Sequence, residues 1–140
     1  MSQENVELVR RSYRAWNERD VDAWVACGTP DIEWRLIGGF ADLMGPVFEG
    51  HEGLRRFFNE WVVSMESRVE AESSLEADDR VLAILRVIAA GSASGVPVTH
   101  RPGQVISFRD GLISAVDFYY EVSEALEAVG LSEQDAHVDS

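Results

Sequence analysis

Two side chains in the last third of the sequence could move a proton, Asp117 and His100. Asp117 is the only charged residue in the run LISAVDFYY, residues 112–120. An apolar pocket raises the pKa of a carboxyl group toward neutral pH, and histidine titrates near neutral pH without such help. We therefore predict that Asp117 and His100 are acid–base catalysts, on the condition that their side chains face a pocket.

The phase of the strand decides whether Asp117 meets that condition. Successive side chains of a strand point to opposite faces of the sheet, so Asp117 and Phe118 face opposite ways. The even-numbered residues of the run are bulkier and more uniformly apolar than the odd-numbered ones. That difference favours Phe118 on the pocket wall. Two hypotheses stay open: Asp117 is a proton carrier inside the pocket, or it is a polar contact on the other face of the strand.

Six further side chains are predicted to line the pocket and contact a ligand. His100 lies in the run VPVTHRPGQVISF and shares a phase with Gln104, unless Pro102 and Gly103 form a bulge that reverses it. Alternatively, His100 lies on the surface or at a subunit interface. Tyrosine and tryptophan combine an apolar ring with one polar group that needs a partner when buried. The predicted ligand contacts are Tyr13, Trp16, Trp34, Trp61, Gln104 and Phe118.

Motifs for metal, phosphate or disulfide chemistry are missing from the sequence. The three histidines, His51, His100 and His137, are scattered without the spacing of a metal site. No glycine-rich phosphate loop follows a predicted strand. Cys27 is the single cysteine, so no internal disulfide can form. We therefore expect no cofactor and no metal ion.

Apolar periodicity predicts the element order α-α-β-α-β-β-β-β-α. The first helix begins at Ser2 and ends near Asn17, and Asp20 caps a second, short helix. The run DIEWRLI alternates like a half-buried strand, and HEGLRRFFNEWVVSM has the spacing of a third helix. Between them, GGFADLMGPVFEG is predicted to be a long loop of the kind that often forms a lid or rim.

Four strands and a last helix complete the predicted domain. The strands span about residues 69–77, 80–91, 96–109 and 112–120, with turns near 78–79, 92–94 and 110–111. The last helix covers residues 122–129. Helices grouped ahead of an antiparallel sheet indicate an α+β fold. We predict one domain over residues 1–131 and a polar tail over residues 132–140.

The composition limits the partners and the location. A chain of 140 residues with 46% hydrophobic and 26% charged residues is typical of one globular domain. Its net charge of −13 argues against nucleic acid and anionic membrane surfaces, because both attract basic proteins. The sequence has no apolar run of membrane-spanning length and no secretory signal, so we expect a cytoplasmic protein.

Several motifs resemble the SnoaL-like family of the nuclear transport factor 2 superfamily. They are VRRSYRAWNERDVDAW, PDIEW, FEGHEGLRRFF, FRDGLISAVDFY and SEALEAVGL, and they cover nearly the whole chain in the expected order. The resemblance implies a cone-shaped, curved antiparallel sheet wrapped around the N-terminal helices. It also implies a deep apolar pocket for a small hydrophobic molecule, and commonly a homodimer built through the sheet.

The family hosts several chemistries, and each asks for different residues. The isomerase type needs a carboxylate near the end of the first strand, where this sequence has Leu36. The epoxide hydrolase type needs two acids and an arginine. Asp117 with Arg86 or Arg101 supplies only part of that set. The dehydratase type needs pocket histidines, of which His100 is the one candidate. The polyketide cyclase type asks for one acid–base residue and an apolar pocket.

We therefore predict a cofactor-independent acid–base enzyme of the cyclase, isomerase or hydratase/hydrolase type. Its substrate would be a hydrophobic, polyketide- or terpene-like molecule. Two alternatives remain: a binding protein for a small hydrophobic ligand without catalysis, and a dimeric interaction module with a vestigial pocket.

Overall fold

Twelve elements form within residues 2–91 and 97–132, the parts of the chain that the computed structural model describes. In chain order they are α1 (Ser2–Asn17), α2 (Val21–Val25), β1 (Gly28–Ile37), α3 (Gly39–Met44), β2 (Val47–Glu49), α4 (Gly50–Ser64), β3 (Met65–Ala77), β4 (Arg80–Gly91), β5 (Pro97–His100), β6 (Gly103–Arg109), β7 (Leu112–Tyr119) and α5 (Val122–Ala128).

All seven of these strands belong to one curved, unclosed sheet. The strand order is β2-β1-β7-β6-β4-β3, and β5 pairs with β4 beside this path. Neighbouring strands are antiparallel, except that β1 and β7 run parallel. The helices α1, α2 and α4 pack against the concave face of the sheet. This arrangement confirms the predicted α+β class with a curved sheet around the N-terminal helices.

Two segments differ from the sequence-based expectation. The predicted loop after β1 contains the short helix α3 and the short strand β2. The predicted strand over residues 96–109 is interrupted at Arg101 and Pro102, because proline has no N–H to donate to a strand partner. The carbonyl of Pro102 still accepts a hydrogen bond from the Leu85 N–H at 3.0 Å. The turn predicted at 92–94 and residues 133–140 of the tail lie outside the described residues.

The sheet carries a separate apolar core on each face. Alternation along β4 divides the two cores: Ala83 and Leu85 belong to the concave side, and Leu82 and Ile84 belong to the outer side. Helix α5 covers the outer core with Val122, Ala125 and Leu126. The helix approaches β6 so closely that a Cβ atom at Gly103 would lie 2.6 Å from Cβ of Ala125.

Helix α3 is bounded by two glycines in backbone conformations that other residues rarely adopt. Gly38 has a φ of 93° before the helix, and Gly45 has a φ of 92° after it. The helix brings Phe40, which is 5% exposed, onto the sheet.

The helices of the described residues fall short of what crossing a membrane requires. None combines the necessary length with the necessary apolar character.

Candidate ligand-binding cavity

A cavity lies between the concave face of the sheet and helices α1, α2 and α4. Aromatic and aliphatic side chains make up most of its lining, and no lining residue carries a charge. The space open to the centre of a water molecule is about 40 Å³. The structure brings all six predicted ligand contacts to this lining, from three elements of the sheet and two helices: Tyr13, Trp16, Trp34, Trp61, Gln104 and Phe118.

One hydrogen-bonded pair supplies a polar spot in this apolar lining. The Tyr13 hydroxyl on α1 donates to Oε1 of Gln104 on β6 at 2.7 Å. Gln104 is 4% exposed, and its side-chain NH2 group remains as a further donor. Burial raises the pKa of Tyr13 well above its usual range. The hydroxyl therefore stays protonated and neutral at every physiological pH.

The tryptophan rings in the lining pack against one another. Trp24 makes edge contacts with Trp16 at 4.9 Å and with Trp34 at 5.4 Å between ring centroids. Trp61 lies 6.0 Å from Trp16, and its Nε1–H donates to Oγ of Ser67 at 2.7 Å. The indole N–H groups of Trp16 and Trp34 are buried and have no hydrogen-bond partner among the described residues.

The structure corrects the inward placement of Asp117. The register of β1 and β7 sets Asp117 beside Arg35 and Phe118 beside Leu36. The Asp117 carboxylate accepts a hydrogen bond from Nε of Arg35, which also binds Glu33 at 3.0 Å on the outer face of the sheet. Phe118 is 4% exposed and lines the cavity instead. Asp117 therefore cannot carry protons to a molecule in this cavity.

Val116 and Phe118 of the bulkier phase are buried because this removes more apolar surface from water. The same alternation places Asp117 on the outer face of the sheet, which water can reach. There Arg35 donates a hydrogen bond to its carboxylate. The arginines that we considered as partners for Asp117 have other acids beside them. Arg86 binds Glu70 at 3.1 Å, and Arg101 binds Glu72 at 2.9 Å.

His100 lies on the concave side of the sheet but outside the cavity lining. It is paired with Val87 across β4 and β5, so both side chains share a face. Its Nε2 donates to the Tyr120 carbonyl at 2.7 Å, which requires a proton on Nε2. The His100 ring also contacts the rings of Tyr120 at 4.2 Å and Phe40 at 5.5 Å between centroids.

Phe40 connects the surroundings of His100 with the cavity wall. Its ring centroid is 4.8 Å from that of Phe118 and 5.5 Å from that of Trp61, and both of these rings line the cavity. The sequence did not reveal this role, because Phe40 lies in a glycine-rich stretch without a readable period. A bulky aromatic residue directly after two glycines was the available signal.

The sequence matches the model of the SnoaL-like domain over residues 9–116. The protein belongs to the SnoaL-like domain family. A comparison with curated proteins finds none that matches this sequence.

Solved structures resemble this SnoaL-like protein over most of its length. TerC, co-crystallised with polyporic acid, is 22% identical with a TM-score of 0.77, and the match covers 90% of this chain and 97% of TerC. A nuclear transport factor 2-like protein of unknown function from Burkholderia pseudomallei is 21% identical (TM-score 0.76; 91% and 98% covered). RV0760c from Mycobacterium tuberculosis, in complex with estradiol-17beta-hemisuccinate, is 20% identical (TM-score 0.73; 84% and 94% covered). These likenesses support the fold.

The remaining reactive side chains of the SnoaL-like protein fit structural roles. His51 Nε2 lies 2.9 Å from the carbonyl of Gly28 and ties the start of α4 to β1. Cys27 lines the cavity, and burial raises the pKa of its thiol, which keeps it protonated. Within the described ranges, no group of three or more potential ligand residues is arranged to hold a metal ion.

Proposed function

We propose that this SnoaL-like protein binds a small, neutral, mostly apolar molecule in the cavity between its helices and its sheet. The observation that carries the proposal is the lining: apolar rings and aliphatic side chains surround the polar pair Tyr13–Gln104. Ligand sites commonly combine an apolar wall with a few polar groups that orient the ligand. A charged ligand would lose its hydration there without gaining a counter-ion.

The free volume limits the size of this molecule. A water molecule needs roughly 10–15 Å³ measured as centre-accessible space, so about 40 Å³ accommodates a few waters or one compact group. Pockets for drug-sized ligands are about ten times larger. At about 30 Å³ of liquid volume per water, a few waters fill the space of one small ring, so we expect a molecule of about the size of a ring with a short substituent. The complexes of TerC with polyporic acid and of RV0760c with estradiol-17beta-hemisuccinate support small organic molecules as occupants of this fold.

A thermal unfolding assay with matched probes tests the proposal. A ligand that binds only the folded state stabilises it by RT ln(1 + L/Kd), where L is the ligand concentration, so the Tm rises with that concentration. Acetophenone and ethylbenzene should raise the Tm, and 1-phenylethylamine, which is cationic at pH 7, should not. Val116 faces the cavity and Ala115 faces the outer side. Val116→Phe should therefore abolish the shift, whereas Ala115→Phe should retain it. No shift with either neutral probe would refute the proposal.

Acid–base catalysis at His100 is a second candidate function. Its specific support is the contact of His100 with Phe40, which in turn contacts the cavity wall. Displacement of Phe40 would open a path from the cavity to the imidazole. Under this candidate function, NMR signals of the His100 ring shift when acetophenone binds, and Phe40→Ala enlarges the shift. His100 signals that ignore the ligand in both proteins would exclude this function.

We also propose that the protein forms a homodimer through the outer face of its sheet. Helix α5 covers one part of that face, and the network Glu33–Arg35–Asp117 lies on another. An interface that includes β1 and β7 would thus be polar. Sedimentation equilibrium measures the oligomeric state, and a monomer at every concentration would refute the proposed homodimer.

A further inference from the structure

Two buried indole donors in the cavity lining lack an acceptor in the part of the chain that the structure describes. Trp16 is 5% exposed and Trp34 is 7% exposed, yet neither indole N–H finds a hydrogen-bond partner among the described residues. A buried donor without an acceptor is costly, and nearly all such groups in folded proteins are paired with protein, water or ligand. Both indole rings line the same cavity, so a ligand bound there would contact these rings.

Trp61 provides the contrast within the same cavity. Its indole N–H donates to Ser67 inside the protein, so it has no need of an acceptor from the cavity. The Tyr13 hydroxyl likewise has its acceptor in Gln104. Among the described residues, the donors of the lining that remain without an acceptor are therefore the indole N–H groups of Trp16 and Trp34, beside the side-chain NH2 group of Gln104. An indole can donate but cannot accept a hydrogen bond, which sets the chemistry of the missing partner.

We infer that the indole N–H groups of Trp16 and Trp34 select ligands that carry an uncharged acceptor oxygen, such as a ketone or ester carbonyl. The inference rests on the proposed function, because it assumes that the ligand occupies this cavity. A water molecule that bridges the two indoles would lead to the same preference for ligands with an acceptor oxygen. A ligand that displaces such water without replacing its acceptor loses affinity.

Substitution by phenylalanine tests the inference, because it removes the N–H and keeps an aromatic ring. The measured quantity is the ratio of the acetophenone affinity to the ethylbenzene affinity, since the two probes share a shape and differ in the acceptor. Trp34→Phe should lower this ratio about 2- to 12-fold, the range for one neutral hydrogen bond. Trp16→Phe should act in the same direction. In the matched control Trp61→Phe, the ratio should remain at the wild-type value.

Indole signals in proton–nitrogen NMR spectra give a readout in the wild-type protein. Acetophenone should move the indole N–H signal of Trp16 or Trp34 downfield, as expected for a new hydrogen bond, and ethylbenzene should not. The signal of Trp61 should respond least, because its acceptor is Ser67. This experiment requires no variant to fold.

The outcomes separate the inference from the proposed function. If both probes bind and Trp34→Phe and Trp16→Phe leave the affinity ratio unchanged, the inference is wrong while the cavity remains a binding site. If neither probe binds, the proposed function fails and the inference falls with it. A lowered ratio together with a downfield indole shift supports both.

Discussion

Adjacent residues of β7 should respond very differently to substitution. Phe118 is 4% exposed and its ring contacts those of Trp34, Phe40 and Trp61. Phe118→Ala should therefore lower the free energy of unfolding by about 3–5 kcal/mol, the usual cost of removing a buried phenylalanine ring. Phe118→Leu, which keeps part of the apolar volume, should cost less and keeps the test usable if the alanine variant does not fold.

Asp117→Asn should lower the free energy of unfolding far less than Phe118→Ala does, although the two residues are adjacent in the chain. The Asp117 side chain is 23% exposed and that of its partner Arg35 is 40% exposed, so water screens the pair. Ion pairs of this kind contribute about 0.2–1 kcal/mol. The amide has the shape of the carboxylate and removes only the charge.

Urea unfolding measures both substitutions on one scale. With a slope of about 1–3 kcal/mol per molar urea, Phe118→Ala should lower the midpoint by about 1 M or more. Asp117→Asn should lower the midpoint by well under 1 M. If Asp117→Asn destabilises the protein as much as Phe118→Ala does, the assignment of the two faces of β7 is wrong.

Three further predictions concern Tyr13 and two glycines. Because burial raises the pKa of Tyr13 in the folded protein, the unfolded chain loses this proton first as the pH rises. The free energy of unfolding should therefore fall by about 1.4 kcal/mol per pH unit above pH ~10. Urea titrations across that pH range should show a shallower fall for Tyr13→Phe. Gly103→Ala should lower the free energy of unfolding by about 1–3 kcal/mol, because its Cβ would lie 2.6 Å from that of Ala125. The double variant with Ala125→Gly should recover part of this loss. An unchanged unfolding midpoint in Gly103→Ala would contradict the close approach. Gly45→Ala should lower the free energy of unfolding by about 1–3 kcal/mol because φ is 92° at this position. Steric overlap is not the reason, since an added Cβ would meet no atom within 4 Å. A Tm equal to that of the wild type would show that this backbone conformation is not required.

The sequence predicted the elements well where a single periodicity runs through them. Helices α1 and α4 and strand β4 lie within a few residues of their expected bounds because their apolar spacing is regular. The region around α3 was not predictable in this way, because glycines interrupt every period there. The break at Pro102 was foreseen only as a bulge, since a proline can either end a strand or distort it.

The cavity was more predictable than the chemistry. Gln104 and Phe118 were predicted to contact a ligand, Phe118 because its phase of β7 is the bulkier one, and both line the cavity. Alternation alone could not decide the phase of Asp117, because both faces of β7 are largely apolar. The β1–β7 register, with Arg35 beside Asp117, decided it. That register depends on a parallel pairing between the first and last strands, which no local pattern reveals.

Intermolecular nuclear Overhauser effects from a bound probe test the central claim most directly. The protein would be labelled on the methyl groups of isoleucine, leucine and valine and saturated with acetophenone. We predict contacts from the probe to Ile106 and Val116, which line the cavity, and none to Leu82 and Ile84, which lie under α5 on the outer face. Contacts confined to the outer core or to exposed methyl groups such as Val63 would contradict ligand binding in this cavity.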